Sequence, residues 1–330
     1  MATSSKPAPS PVSPPGRPKV KHAPSGGSKP HAVGERGGIA SRAWEQGLPV
    51  AVMLAVFMLV WYGGAWGMNA TGAIERVLEP SGNPWTWQDL LSTTLNMERP
   101  VLPAPHQIAL DFWSSLVDWP VDSPRNLLFH VAVTGETTLV GFVMGTVLGL
   151  VLSVLIVHSR TLDRALLPWI VASQTVPVLA IAPIVLVILG SLGLEGLAPK
   201  AVLAMYLSFF PVTVAMVQGL RSPQVIETEM MHTYAATRWQ ALWMLRLPAA
   251  LPFLFPALRV GIAASLVGAM VAELPTGATA GLGARLLTGS YYGNTLAIWS
   301  ALVMSALLGL VLTTLVALTE HLALRHRRQP

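Results

Sequence analysis

The chain has 330 residues, of which 52% are hydrophobic and 11% charged, with a formal net charge of +5 and no cysteine. A soluble domain carries about 25% charged residues, so these charges are too few to coat a soluble surface of this size, and a lipid-embedded protein is expected. The absence of cysteine excludes a disulfide framework and any thiolate metal site.

Residues 1–47 are rich in Pro, Ser, Gly and Lys and are expected to form an unfolded basic tail. Its charge suits either contact with anionic lipid or a solvated tail that sets topology. A spanning helix needs about 20 mostly apolar residues. Six such stretches lie near 48–67, 131–157, 167–190, 199–220, 251–274 and 295–318. The first is longer than a signal-peptide core, so it is expected to remain uncleaved as a helix. Fifteen Lys and Arg fall in the odd-numbered gaps between spans, against Arg76, Arg99, Arg125, Lys200 and Arg285 in the others. That asymmetry predicts both termini in the cytoplasm, in agreement with an even number of spans.

Residues 68–130 form the long external segment. Trp85, Trp87, Trp113 and Trp119 suit a half-wet interfacial position. Ile108, Phe112, Leu116 and Val117 recur near helical spacing, which predicts a short helix lying on the membrane. The second span carries Gly141, Gly145 and Gly149 at intervals of four, and the sixth carries Ala301, Ser305, Gly309 and Thr313. Such stripes let backbones approach closely in lipid. Pro168, Pro177, Pro183, Pro211, Pro252 and Pro256 bend or loosen the spans between them, either along a pathway or as static kinks.

Three ionisable residues fall inside spans: Glu136, Arg259 and Glu273. Arg259 is expected to snorkel to the cytoplasmic face. Glu273 either lines an external gate or reaches interfacial water. No GxxxxGK[ST] occurs, so the chain has no phosphate-cradling loop of its own, and "GATAGLG" reads as an external turn. Glu229 and His232 make one Glu-x-x-His pair without the second copy that a di-iron bundle requires. No nucleophile arrangement is present, so no catalytic residue and no metal site are expected.

The segment "ETEMMHTYAATRWQALWMLRLPAALP" interrupts the apolar pattern on the Lys- and Arg-rich side. Its Trp239, Leu242 and Leu245 fall on one face, with Thr237, Arg238 and Gln240 exposed. Periodicity alone leaves two readings: an interfacial helix, or a docking knob for a partner groove. The segment resembles the loop of ATP-binding-cassette importer permeases in which Glu-Ala-Ala, a Gly and a closing Ile-x-Leu-Pro recur. Counted back from Leu247-Pro248, the Glu falls on Glu229, the Gly on Ala235 and the Ile on Leu245, with Met230 and Met231 in place of two alanines. The resemblance extends over roughly residues 100 to 325. "LPAPHQIALDFW", "SRTLDRALLPWIVASQTVPVLAIAPIVLVILG" and "FPALRVGIAASLVGAMVAEL" followed by "AGLGARLL" are similar to the nitrate, sulfonate and taurine branch, which includes pyrimidine and vitamin-precursor permeases.

The resemblance implies an all-α, type I importer permease fold in a bacterial inner membrane, with a five-helix core over 131–320, a coupling loop over 221–250 and a basic tail over 321–330. It implies a pair of permease copies, a periplasmic binding protein, and two ATP-binding subunits that hold the ATP and Mg this chain does not. Nucleic acid is not an expected partner. Glu229 to Trp239 would form the coupling helix, with Tyr234, Ala235, Ala236, Thr237 and Arg238 as contacts. Gln174, Thr175, Pro177, Ser208, Phe210 and Ser265, polar or kinking residues within spans, together with Glu273, are the expected path. The substrate would be a small organic solute, pyrimidine-like or a vitamin precursor, or alternatively a sulfonate, taurine or nitrate. A secondary carrier driven by an ion gradient is the rival, with Glu136 as its buried carboxylate.

Overall fold

The computed structural model describes residues 39–275 and 277–325, so the expected basic tails before 39 and after 325 lie outside the described residues. The chain divides into two units, Met1–Leu54 and Ala55–Pro330; of the first, the described part is the opening stretch of α1 (Ile39–Ala73). The helix starts ahead of the expected boundary at 48, because "IASRAWEQ" is built from good helix formers. It also runs on through a π-helical turn, Ile74–Leu78, so the first apolar helix covers Leu48–Leu78 rather than ending at 67.

Beyond it come α2 (Trp87–Leu95), α3 (Pro105–Val117), α4 (Leu127–His158), α5 (Arg160–Ser173) and α6 (Val178–Ser191). There follow α7 (Leu197–Leu220), α8 (Val225–Thr233), α9 (Arg238–Ala241), a second π-helical turn (Leu242–Arg246), α10 (Leu247–Glu273), α11 (Leu282–Tyr291) and α12 (Thr295–Arg325). All regular structure among the described residues is helical. Five helices are long and apolar enough to cross a membrane, and α5 with α6 makes a sixth, bent by 105°. The single third span expected over 167–190 is therefore broken. Pro177 caps α6 with extended backbone (φ −66°, ψ 119°), and residues 174–176 turn instead of continuing the helix.

The centre of the bundle is α7, held between α4 and α10. In lipid the apolar side chains gain nothing by leaving the solvent, so close packing must hold helices together. The glycine stripe of α4 meets α7 at near-backbone distance. A Cβ on Gly141 would lie 2.3 Å from the Ala204 Cβ, one on Gly145 1.9 Å from the Ser208 Oγ, and one on Gly149 2.9 Å from the Val212 Cβ. From the other side, a Cβ on Gly268 of α10 would lie 2.8 Å from the Ala204 Cα. Hydroxyls bind the same seams: Ser208 donates to the Gly141 carbonyl at 3.3 Å, and Ser265 to the Thr138 carbonyl at 2.8 Å. The stripe on α12 also faces inward at Ala301 and Ser305, which are buried, and a Cβ on Gly309 would meet Leu266 of α10 at 3.2 Å.

The external segment packs more tightly than expected. Phe112 and Leu116 of α3 pack with Leu127, Leu282 and Met304, so the apolar face of α3 turns onto α4, α11 and α12 and not onto the membrane. Val117 does stay exposed. Asn69 of α1, almost fully buried, donates to the Leu102 carbonyl at 2.8 Å and accepts from the Val101 N–H at 2.7 Å. Thr295 at the start of α12 donates to the Pro100 carbonyl, so this loop joins α1 to α12. Arg259, expected to snorkel, is exposed and pairs with Glu320 of α12.

Glu273 neither lines a gate nor reaches water: it is fully buried. Its carboxyl group accepts from the Thr134 hydroxyl at 2.8 Å and from the Gly283 N–H at 2.7 Å. The same Thr134 oxygen accepts from the Leu282 N–H at 2.8 Å, and His130 Nδ1 from the Gly281 N–H at 3.1 Å. His130 Nε2 faces the Pro124 carbonyl at 2.8 Å, which fixes Nδ1 as the acceptor. Three successive amides at the start of α11, donors with no intrahelical partner, thus bind α4 and α10. Gly281 sits at φ 120°, where a Cβ would lie 2.3 Å from the Glu273 Cδ, so "GLG" is a tight cap and not a slack turn. Arg285 of α11 closes the cap by donating to the Arg125 carbonyl at 3.1 Å; burial pushes its pKa down, and Asp111 opposes that shift.

Two predictions follow the packing. Gly145→Ala should destabilise the purified protein by about 1–3 kcal/mol through overpacking. Gly135→Ala, with nothing within 4 Å of its Cβ, should be neutral or stabilising by up to about 1 kcal/mol. Glu273→Ala should cost about 2–3 kcal/mol by leaving buried donors unpaired, and Glu273→Gln, which keeps one acceptor, should cost less. Thermal unfolding in detergent ranks all four variants.

Candidate functional site

The polar segment after α7 folds as two short helices meeting at a corner. Gln224 opens α8, its N–H donating to the Glu227 carboxylate at 2.8 Å in a capping box. No residue of α8 is buried, and Val225, Ile226 and Met230 are exposed. This helix therefore stands clear of the bundle that its own chain forms.

The corner is a Schellman motif. The Ala236 N–H donates to the Met231 carbonyl at 3.0 Å, and the Ala235 N–H to the His232 carbonyl at 2.9 Å. That closure requires the left-handed conformation at Ala235, which has φ 52° and is the non-glycine residue with positive φ among those described. Alanine thus occupies a place where glycine would cost nothing sterically. Thr237 then caps the next helix: its N–H donates to the Gln240 Oε1 at 2.7 Å, and its Oγ1 accepts from the Gln240 N–H at 3.3 Å. From Arg238 the helix runs unbroken to Glu273, 36 residues in all. The π-helical turn at Leu242–Arg246 sits just ahead of Pro248, which has no N–H for the carbonyl four residues back. The widened turn places "LRLP" within a continuous helix.

The single helix expected over Glu229–Trp239 is therefore replaced by α8, the corner and the first turn of α9. The positive φ that the corner needs ends α8 at Thr233. Glu229, Tyr234, Ala235, Thr237, Arg238 and Trp239 are all exposed, and Ala236 is half-buried. The Trp239 ring packs at a tilt against His158 at the end of α4, with ring centroids 5.0 Å apart, and this contact ties the corner to the bundle.

The expected path residues do not converge. Gln174, Thr175 and Pro177 are exposed at the α5–α6 bend. Ser208 and Ser265 are fully buried in the α4–α7–α10 seams, Phe210 packs beside Ile156 and Phe209, and Glu273 caps α11. At the far end of α10, a cleft of about 540 Å³ lies between α6, α7 and residues 277–280, with Glu195 and Lys200 as its charged groups. None of the seven expected residues lines that cleft. Sequence reasoning also passed over Thr134 and His130; the one available signal was the polar run Thr134 to Thr138 near the start of a mostly apolar span. Glu136, the carboxylate of the rival reading, is exposed on the surface of α4.

The corner gives a direct test. Ala235→Gly should raise thermal stability by up to about 1 kcal/mol by relieving the left-handed strain. Ala235→Val, β-branched at positive φ, should lower it. The order Gly, Ala, Val in unfolding midpoint would confirm the geometry.

Residues 141–327 match the family described as binding-protein-dependent transport system inner membrane component. The chain is 35% identical over 225 residues to the riboflavin transport system permease protein of Chloroflexus aurantiacus, covering 68% of this chain and 80% of that one. It is 34% identical over 184 residues to the formylaminopyrimidine transport permease protein of Halalkalibacterium halodurans, covering 56% and 68%. It is 25% identical over 219 residues to the taurine transport system permease protein of Escherichia coli, covering 66% and 78%. With its multi-pass helical bundle, this chain belongs to the inner membrane components of binding-protein-dependent transport systems.

Proposed function

We propose that two copies of this permease form the path of an importer for a small organic solute, pyrimidine-like or a vitamin precursor. Separate subunits hydrolyse ATP and dock on α8 and the Ala235 corner, and a periplasmic binding protein delivers the solute to the opposite face. The observation that carries this reading is a helix with no buried residue, ending in a strained and fully specified corner. A structure so exposed and so rigid is suited to fit a partner groove. The substrate class is supported by higher identity to the riboflavin and formylaminopyrimidine permeases, 35% and 34%, than to the taurine permease, 25%.

In this reading the solute enters at the cleft beside Glu195 and Lys200 and passes the α5–α6 bend at Gln174, Thr175 and Pro177. Ser208, Phe210, Ser265 and Glu273 hold the helices that must shift against one another. Motor and path are joined by the helix Arg238–Glu273, whose ends lie at the corner and at the α11 cap.

The test is association and transport. The full chain should co-purify with an ATP-binding subunit, and Ala235→Glu combined with Arg238→Glu should reduce that association at least about tenfold, in line with the loss of a buried contact at an interface centre. Uptake of labelled formylaminopyrimidine should exceed that of taurine. Uptake that persists without any ATP-binding subunit would sink the reading and favour an ion-driven carrier.

A further inference from the structure

At the end of the bundle that carries the corner, a groove of about 980 Å³ opens between the end of α4, the start of α5, α8 and the start of the long helix. Its charged and titratable lining is His158, Arg160, His232, Arg238 and Arg246, with no carboxylate among the lining residues. Of the nearby acids, Glu229 on α8 is exposed and outside the lining, and two others are engaged. Asp163 pairs with Arg221 at 2.8 Å, and Glu227 holds the Gln224 N–H. Among the described residues, Arg160, Arg238 and Arg246 enter no ion pair. The Nε2 atom of His158 is buried without a hydrogen-bond partner. Three guanidiniums facing one space repel each other unless an anion sits between them.

The groove also lies at a defined depth. His158 ends one membrane-crossing helix and Arg238 begins another. Trp239, in ring contact with His158, and Trp243, between the lining residues Ala241 and Leu245, are exposed, as indole rings are at headgroup level. Guanidinium groups match phosphate oxygens in charge and geometry, and basic pockets between helices at this level suit phosphate headgroups. We propose that this groove binds a phosphate group at the membrane surface, carried either by an anionic phospholipid or by free phosphate. The proposal rests on the importer reading only for which leaflet supplies the lipid.

The test uses the full-length protein in phosphatidylcholine nanodiscs with and without phosphatidylglycerol, read by native mass spectrometry and thermal unfolding. Arg160→Gln with Arg246→Gln should weaken phosphatidylglycerol retention about tenfold or more, since each basic residue near the surface contributes roughly 1 kcal/mol. Arg160→Lys with Arg246→Lys should restore most of it, which separates charge from misfolding. Arg76→Gln with Arg99→Gln, in the external segment, should leave retention unchanged. Stabilisation by inorganic phosphate in phosphatidylcholine alone, lost in the Gln pair, would identify free phosphate as the source; lipid retention without that effect would identify the headgroup. Equal retention in wild type and the Gln pair, with no phosphate effect, overturns the proposal. So does loss of the ATP-binding subunit from the Gln pair with lipid unchanged, which would make the groove a seat for an acidic protein segment. Intact lipid binding in a chain that binds no such subunit would instead count against the importer reading alone.

Discussion

Helices in lipid cannot be driven together by the flight of apolar side chains from water, and the close approach of α4, α7 and α10 answers that constraint. Their backbones meet at Gly141, Gly145, Gly149 and Gly268, where even a methyl group has no room. Hydroxyls from Ser208 and Ser265 reach across to carbonyls of α4 within the same seams. Further helices are hung from this three-helix unit. The bent pair α5–α6 packs through Ala182 against Leu203 and Ala272, and α12 packs through Leu312 and Val316 against Ile262.

The two ends of the unit are finished in different ways. At one end the buried Glu273, Thr134 and His130 satisfy the first amides of α11, so polar groups at the membrane edge are spent internally. At the other end the chain leaves its own bundle, and α8 leaves Val225, Ile226 and Met230 exposed. The first is a closed and self-satisfied cap; the second is an open surface.

Much of this was legible in the sequence because it depends on local pattern. The glycine stripe announced a close helix contact, and the spacing back from Leu247-Pro248 put the family's glycine position on Ala235, though not the corner itself. What remained hidden depends on the third dimension. The stripe could not name α7 as its partner, because many helix pairings share small-residue spacing. Glu273 looked like a gate or a water-seeking group because its partners Thr134 and Gly283 are distant in sequence or lie past a turn. Polar residues chosen for being polar, such as Ser208 and Ser265, turned out to be structural, since a hydroxyl in a span can satisfy a neighbouring carbonyl as readily as face a solute. The helix expected over Glu229–Trp239 failed for a local reason: one positive φ at Ala235 divides it.

The helix from Arg238 to Glu273 is about 54 Å long at 1.5 Å per residue. Along its axis such a rod is nearly incompressible, because shortening it would strain every hydrogen bond in series. Across its axis it yields at the π-helical turn and at Pro252 and Pro256, where bonds in the ladder are missing or widened. Displacement along the axis is therefore resisted more strongly than bending across it. The same 36 residues are stiff in one direction and forgiving in the others.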